Sequence, residues 1–183
     1  MRAGLLLIFL FSIGFSLTAS ASQDLSLDSN FEQKTPYQVC FTPQDNCTQL
    51  IIQLINSAKT QIRAQIYSFT SKPIAKALVR AEKRGVDVQV IYDQTNGNSR
   101  HYSLEPYLVK NHIPAYLDTV PGIAHNKVLI IDSQIIETGS FNYTQSAQEN
   151  NAENVLIIHS PQLAQQYLTN WQSRKAAAIL PNS

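Results

Sequence analysis

His125, Lys127 and Asp132 follow the spacing H-x-K-x-x-x-x-D, and Val128 to Ile131 between the last two are apolar. An imidazole serves as nucleophile or general base near neutral pH, and an ammonium two residues away supplies fixed positive charge. On a strand, alternate side chains share a face. His125 and Lys127 are therefore expected to point the same way, with the apolar run anchoring their strand in a core. Nothing else in the chain couples reactive groups to a scaffold so closely.

Periodicity and capping residues outline the elements that must hold this strand. Tyr37–Thr42 reads as a short strand. A helix starting at Asn46 or Thr48 keeps Leu50, Ile51, Leu54, Ile55 and Ala58 on one face. Gln61–Phe69 alternates as a strand, with Ile62, Ala64 and Ile66 on one side. Pro73 opens a second helix carrying Ile74, Ala77, Leu78 and Ala81, and Lys83-Arg84-Gly85 closes it with cations and a left-handed cap. Val86–Tyr92 is a buried strand, Asp93–Arg100 a polar loop, His101–Lys110 a helix and Pro114–Leu117 a short strand. Lys127–Ile131 and Gln134–Thr138 are strands joined tightly at Asp132-Ser133. Tyr143–Asn150 is polar with helical character, and Glu153–His159 is a strand. Ser160 caps a last helix with Pro161 at its first position and Leu163, Tyr167, Leu168 and Trp171 as its apolar stripe. Strands and helices alternate early and strands cluster late. The expected fold is α/β, a mixed central β-sheet flanked by helices on both faces.

The 183 residues suffice for one domain with a core. Met1-Arg2, an apolar run from Leu5 to Leu17 and Ala19-Ser20-Ala21 form a signal-peptide pattern over 1–21. The run is short for a membrane span, which needs about 20 residues. Residues 22–35 read as a flexible leader and 36–178 as the domain. Cleavage removes Arg2, leaving 13 cations against 13 carboxylates where the full chain has 14 against 13. The mature chain is formally neutral, so any attraction for phosphate must be local. Export leads to an oxidising compartment, periplasmic or extracellular, where Cys40 and Cys47 are expected to form a disulfide. Free thiols or a metal site are the alternatives, and two thiols without further Cys or His make a poor zinc site. Lys72, Lys76, Arg80, Lys83 and Arg84 read as a solvated helix face.

The H-x-K-x-x-x-x-D element, followed by Gly139-Ser140-x-Asn142 and Glu153, resembles the signature of the phospholipase D-like superfamily of phosphodiesterases. The likeness runs from about Tyr37 to about Arg174 and includes the strands around Gln65 and Val88. It is closest to the short secreted bacterial endonucleases of that superfamily. The resemblance implies His125 as the nucleophile that forms a phosphohistidine. It implies Lys127, Ser140 and Asn142 as phosphate ligands, Gly139 as a point of close approach, and Glu153 as the acceptor that orients His125. Asp132 either orients its neighbours, acts in a later step or is simply a hairpin residue beside Ser133.

In-line displacement places attacking and leaving atoms on opposite sides of phosphorus, so a second imidazole is needed. His101, His112 and His159 lie in no second H-x-K, and the chain shows no internal repeat. A two-fold homodimer that brings two His125 rings to one site is the expected solution. No H-E-x-x-H, Cys/His ligand set or carboxylate cluster calls for a metal, and no cofactor is expected. The expected substrate is nucleic acid, DNA and possibly RNA, bound through its phosphates. A phospholipid headgroup ester is the enzymatic alternative, and a nucleic-acid-binding protein with a silent site the non-enzymatic one. No stable membrane insertion is expected after signal cleavage.

Overall fold

The computed structural model describes residues 34–93 and 103–181. The signal-peptide pattern, nearly all of the leader, most of the loop after Asp93 and His101 lie outside the described residues. Along the rest run β1 (Tyr37–Phe41), α1 (Cys47–Ser57), β2 (Gln61–Ile66), α2 (Lys72–Lys83), β3 (Asp87–Asp93), α3 (Glu105–Lys110), β4 (Ala115–Asp118), β5 (Lys127–Ile131), β6 (Ile135–Gly139), α4 (Gln145–Glu149), β7 (Asn154–His159) and α5 (Pro161–Ala177).

Each long helix starts and stops for a local reason. The Asn46 side chain accepts from the Gln49 N–H at 3.0 Å and opens α1, which buries Cys47, Ile51, Leu54 and Ile55. At the end of α2, Gly85 takes φ 88°, and the Gly85 and Val86 N–H groups reach back to the carbonyls of Glu82 (2.8 Å) and Ala81 (3.1 Å). That pair of bonds is the Schellman closure, and its left-handed residue favours glycine. The Ser160 side chain accepts from the Leu163 N–H at 3.3 Å and Pro161 opens α5, which buries Ala164, Leu168 and Trp171 at helical spacing.

The strands form one seven-stranded sheet in the order β1-β7-β6-β5-β2-β3-β4. β2, β3 and β4 are parallel, whereas β5 lies antiparallel to β2 and the pairing continues antiparallel through β6, β7 and β1. The sheet is mixed because helical crossovers return β3 and β4 parallel, while Asp132-Ser133 reverses the chain in two residues. Both residues of that turn have positive φ, 53° and 57°, as a type I′ hairpin requires.

Helices cover both faces. Under α1 and α2, the sheet contributes Ile62, Ala64, Ile66, Leu129, Ile131, Val155 and Ile157 to the larger core. On the other face Val128, Ile130, Ile136 and Ile91 pack against Ala164, Leu168 and Trp171. The Trp171 indole N–H donates to the Ala64 carbonyl at 3.0 Å, so this buried ring leaves no polar atom stranded. Truncating it to alanine would cost about 3–5 kcal/mol. A Cys40–Cys47 disulfide, with Cα atoms 5.6 Å apart, ties edge strand β1 to the first turn of α1. Tyr37, Val39 and Phe41 alternate with buried Cys40, so they lie on the α5 side of the sheet, and they are 69%, 43% and 56% exposed.

Candidate active site

Lys127 opens β5, and His125 and Asn126 stand just before it rather than within a strand. The pairing of β2 with β5 nonetheless extends to them: Ile66 is opposite Lys127, and the Tyr67 N–H donates to the Asn126 carbonyl at 2.9 Å. His125 is exposed, whereas Lys127 is only 6% exposed. The Lys127 ammonium donates to the His125 carbonyl at 3.1 Å and lies 4.8 Å over the centre of the Tyr67 ring. Burial pushes the Lys127 pKa below the ordinary lysine value, and the nearby Glu153 carboxylate opposes that shift.

β6 brings its end to the same place. Val128 pairs with Thr138, which sets Gly139 beside Lys127, and Gly139 pairs with Val155 of β7. Gly139 has φ 155°, and a Cβ there would fall 2.2 Å from the Asn154 carbonyl oxygen, so only glycine lets the two strands close. The same carbonyl accepts from the Ser140 and Phe141 N–H groups at 3.1 and 3.3 Å. The Ser140 hydroxyl donates to Glu153 at 2.5 Å and accepts from the Asn154 N–H at 3.0 Å. Asn142 lies between Phe141 and Tyr143, both fully buried, which pin its loop to the core. The Asn142 Oδ1 is buried without a hydrogen-bond partner among the described residues.

His125, Lys127, Gly139, Ser140, Asn142 and Glu153 thus converge at one end of the central strands. Two placements differ from expectation. Glu153 accepts from Ser140 and from the Asn151 amide (2.8 Å), and no bond to His125 occurs among the described residues. Asp132 stands at the opposite end of β5 from Lys127, about 16 Å away at strand rise. Its carboxylate accepts from the N–H groups of Lys59 (2.9 Å), Thr60 (2.8 Å) and Gln61 (3.0 Å) and from the Thr60 hydroxyl (2.9 Å). Burial raises its pKa, but these donors together hold it below the usual value. Asp132 therefore fastens the β5–β6 hairpin to the start of β2, too far from Lys127 for the catalytic role expected of it.

Two further features have no clear mark in the sequence. The Tyr67 ring meets the His125 ring edge-on, centroids 4.3 Å apart and planes at 61°. That contact depends on pairing between segments nearly 60 positions apart, so no local pattern reveals it. Glu137 is fully buried, accepts a hydrogen bond from the Tyr143 hydroxyl, and among the described residues no hydrogen bond of normal geometry reaches its other oxygen. Burial pushes its pKa up from 4.5 to about 8, despite the Tyr143 hydroxyl and the Leu129 backbone. An acidic residue between Ile136 and Thr138 in a central strand is the sign the sequence offers of it.

An exposed imidazole beside an ammonium, with a side-chain amide and a hydroxyl on the adjoining loop, supplies the groups that bind a phosphoryl group and attack it. Residues 51–174 match the family model described as "Cardiolipin synthase, PLD-like domain". A relative named phospholipase D from Rickettsia typhi is 46% identical over 138 residues, covering 75% of this chain and 67% of the relative. Among solved structures, Nuc from Salmonella typhimurium, a phospholipase D family member, is 40% identical with a TM-score of 0.77. The match covers 82% of this chain and 100% of that one. NucT from Helicobacter pylori is 28% identical with a TM-score of 0.73, over 81% of this chain and 100% of that one.

Proposed function

Because the chain belongs to the phospholipase D-like family and is a phosphodiesterase, we propose that it is an exported endonuclease. It hydrolyses DNA, with RNA as a second substrate, through a phosphohistidine on His125 and without a metal. The observation that carries this reading is the openness of the site. Among the described residues nothing encloses His125 and Ser140, which are exposed, so a long polyanion reaches the imidazole without threading a pocket they form. Likeness along the whole of Nuc supports it.

In the proposed reaction a neutral ring nitrogen of His125 attacks phosphorus. Lys127, Asn142 and Ser140 hold the non-bridging oxygens. The departing oxygen takes a proton from a second imidazole on the far side, which then removes a proton from the water that cleaves the phosphohistidine. With one H-x-K per chain, that second imidazole belongs to a second copy. The exposed strip Tyr37, Val39 and Phe41 supports dimerisation, since Phe41 pairs with Asn154 at the rim of the site. The Cys40–Cys47 disulfide supports export to an oxidising compartment. No helix among the described residues is long and apolar enough to cross a membrane.

A second reading is phospholipase D activity. The name of the rickettsial relatives favours it, as does exposed Ile123 two residues from His125. Plasmid DNA, RNA and phosphatidylcholine vesicles are incubated in EDTA with wild type and His125→Asn. The proposal expects nicked DNA, intact lipid, trapped phosphohistidine in wild type alone and an inactive variant. Lipid turnover without DNA cleavage would replace it with the second reading, and equal activity of the two proteins would remove His125 from the mechanism.

A further inference from the structure

We propose that Tyr67 is a positioning residue of this site, whose ring holds the His125 imidazole and the Lys127 ammonium in fixed relation to each other. The inference rests on the phosphodiesterase reading above and goes beyond it. Tyr67 touches every residue of the His125-Asn126-Lys127 triplet. Its ring meets the imidazole edge-on at 4.3 Å, its backbone N–H holds the Asn126 carbonyl at 2.9 Å, and its face lies 4.8 Å from the Lys127 ammonium. The ring's quadrupole attracts the ammonium to its face, and an aromatic neighbour prefers an edge-on approach.

The need for such a device is visible in the site. An exposed imidazole samples several rotamers, and attack on phosphorus requires one of them. Glu153, the expected orienting group, is engaged with Ser140 and Asn151 instead. Tyr67 is well placed to substitute for it. It continues central strand β2, and two residues later Phe69 is 1% exposed and bridges to Tyr143. The segment is thus fixed on one side to the H-x-K triplet and on the other to the loop that carries Asn142. A ring mounted on a strand end and tied on both sides is the kind of rigid support that precise side-chain geometry requires.

The test uses the full-length protein and bis(4-nitrophenyl) phosphate, a diester with neither bases nor acyl chains. Tyr67→Phe keeps the ring, Tyr67→Leu and Tyr67→Met remove it while keeping apolar bulk, and wild type and His125→Asn frame the assay. The expected result is Tyr67→Phe within twofold of wild type. Both ringless variants should lose about tenfold in kcat, with KM within twofold and unchanged melting temperature. Ringless variants as active as wild type would overturn the proposal. So would a loss confined to KM, a Tyr67→Phe defect as large as that of Tyr67→Leu, or unfolding of both ringless variants, which would make the ring a structural prop. An inactive wild type, or an active His125→Asn, would instead sink the phosphodiesterase reading on which the proposal stands.

Discussion

Replacing Glu137 by glutamine should make the protein more resistant to alkaline pH. Glu137 sits in the sheet opposite Leu129, two residue pairs along from Lys127 and Gly139, with no exposed surface. Burial raises its pKa from 4.5 to about 8, so the folded protein carries the proton there over a pH range in which the unfolded chain has lost it. The sign follows from proton counting. Below pH 4.5 both states are protonated and no linkage arises. As pH rises from 4.5 towards 8 the unfolded state binds fewer protons, and stability falls by up to 1.36 kcal/mol per pH unit. The full loss is about 5 kcal/mol, of which about 3.5 kcal/mol falls between pH 5 and pH 8. That is a large share of the 5–15 kcal/mol typical of a domain. In Glu137→Gln the amide oxygen still accepts from the Tyr143 hydroxyl, and nothing at the position titrates. Denaturant unfolding of both proteins at several pH values, with the disulfide intact, measures the effect. The stability of wild type minus that of the variant should fall by about 3.5 kcal/mol from pH 5 to pH 8. Subtraction cancels the other titrating groups and any constant offset from the new amide N–H. A difference that stays flat across this range would refute the assignment of a buried, protonated Glu137.

Asp132→Ala should lower unfolding free energy by about 2–4 kcal/mol, because three backbone N–H groups lose a charged acceptor, while kcat of the folded fraction stays within twofold; a large kcat loss at full folding would restore Asp132 to the chemistry. The wild-type contribution of Asp132 should itself disappear as pH falls through its depressed pKa. Reducing the Cys40–Cys47 bridge should cost about 2–3 kcal/mol and roughly 5–10 °C in Tm, as read by calorimetry with and without reductant. Activity that needs a charged Lys127 should fall as pH rises through a value below that of an ordinary lysine. In the kcat/KM profile of Lys127→Arg, whose guanidinium keeps its charge, that alkaline limb should vanish even if the rate is lower.

Local signals sufficed for much of the fold and for naming the candidate site residues. The caps at Asn46 and Ser160, the Gly85 closure and the two-residue turn at Asp132-Ser133 involve groups only a few positions apart, so composition and spacing decide them. The H-x-K spacing placed His125 and Lys127 together, and the Gly139-Ser140-x-Asn142 pattern identified the loop that joins them. Residue roles were another matter. Asp132 occupies a signature position, yet its partners lie 71 to 73 residues away at the far end of the sheet. Tyr67 and Glu137 bear on the site only because β5 lies between β2 and β6 and sets which rows align. Glu153 found Ser140, not His125, because β7 docks beside β6. A strand's alternation tells which residues share a face, but its register against a distant strand is chosen by the burial of whole faces at once. Those collective choices are made only when the chain folds.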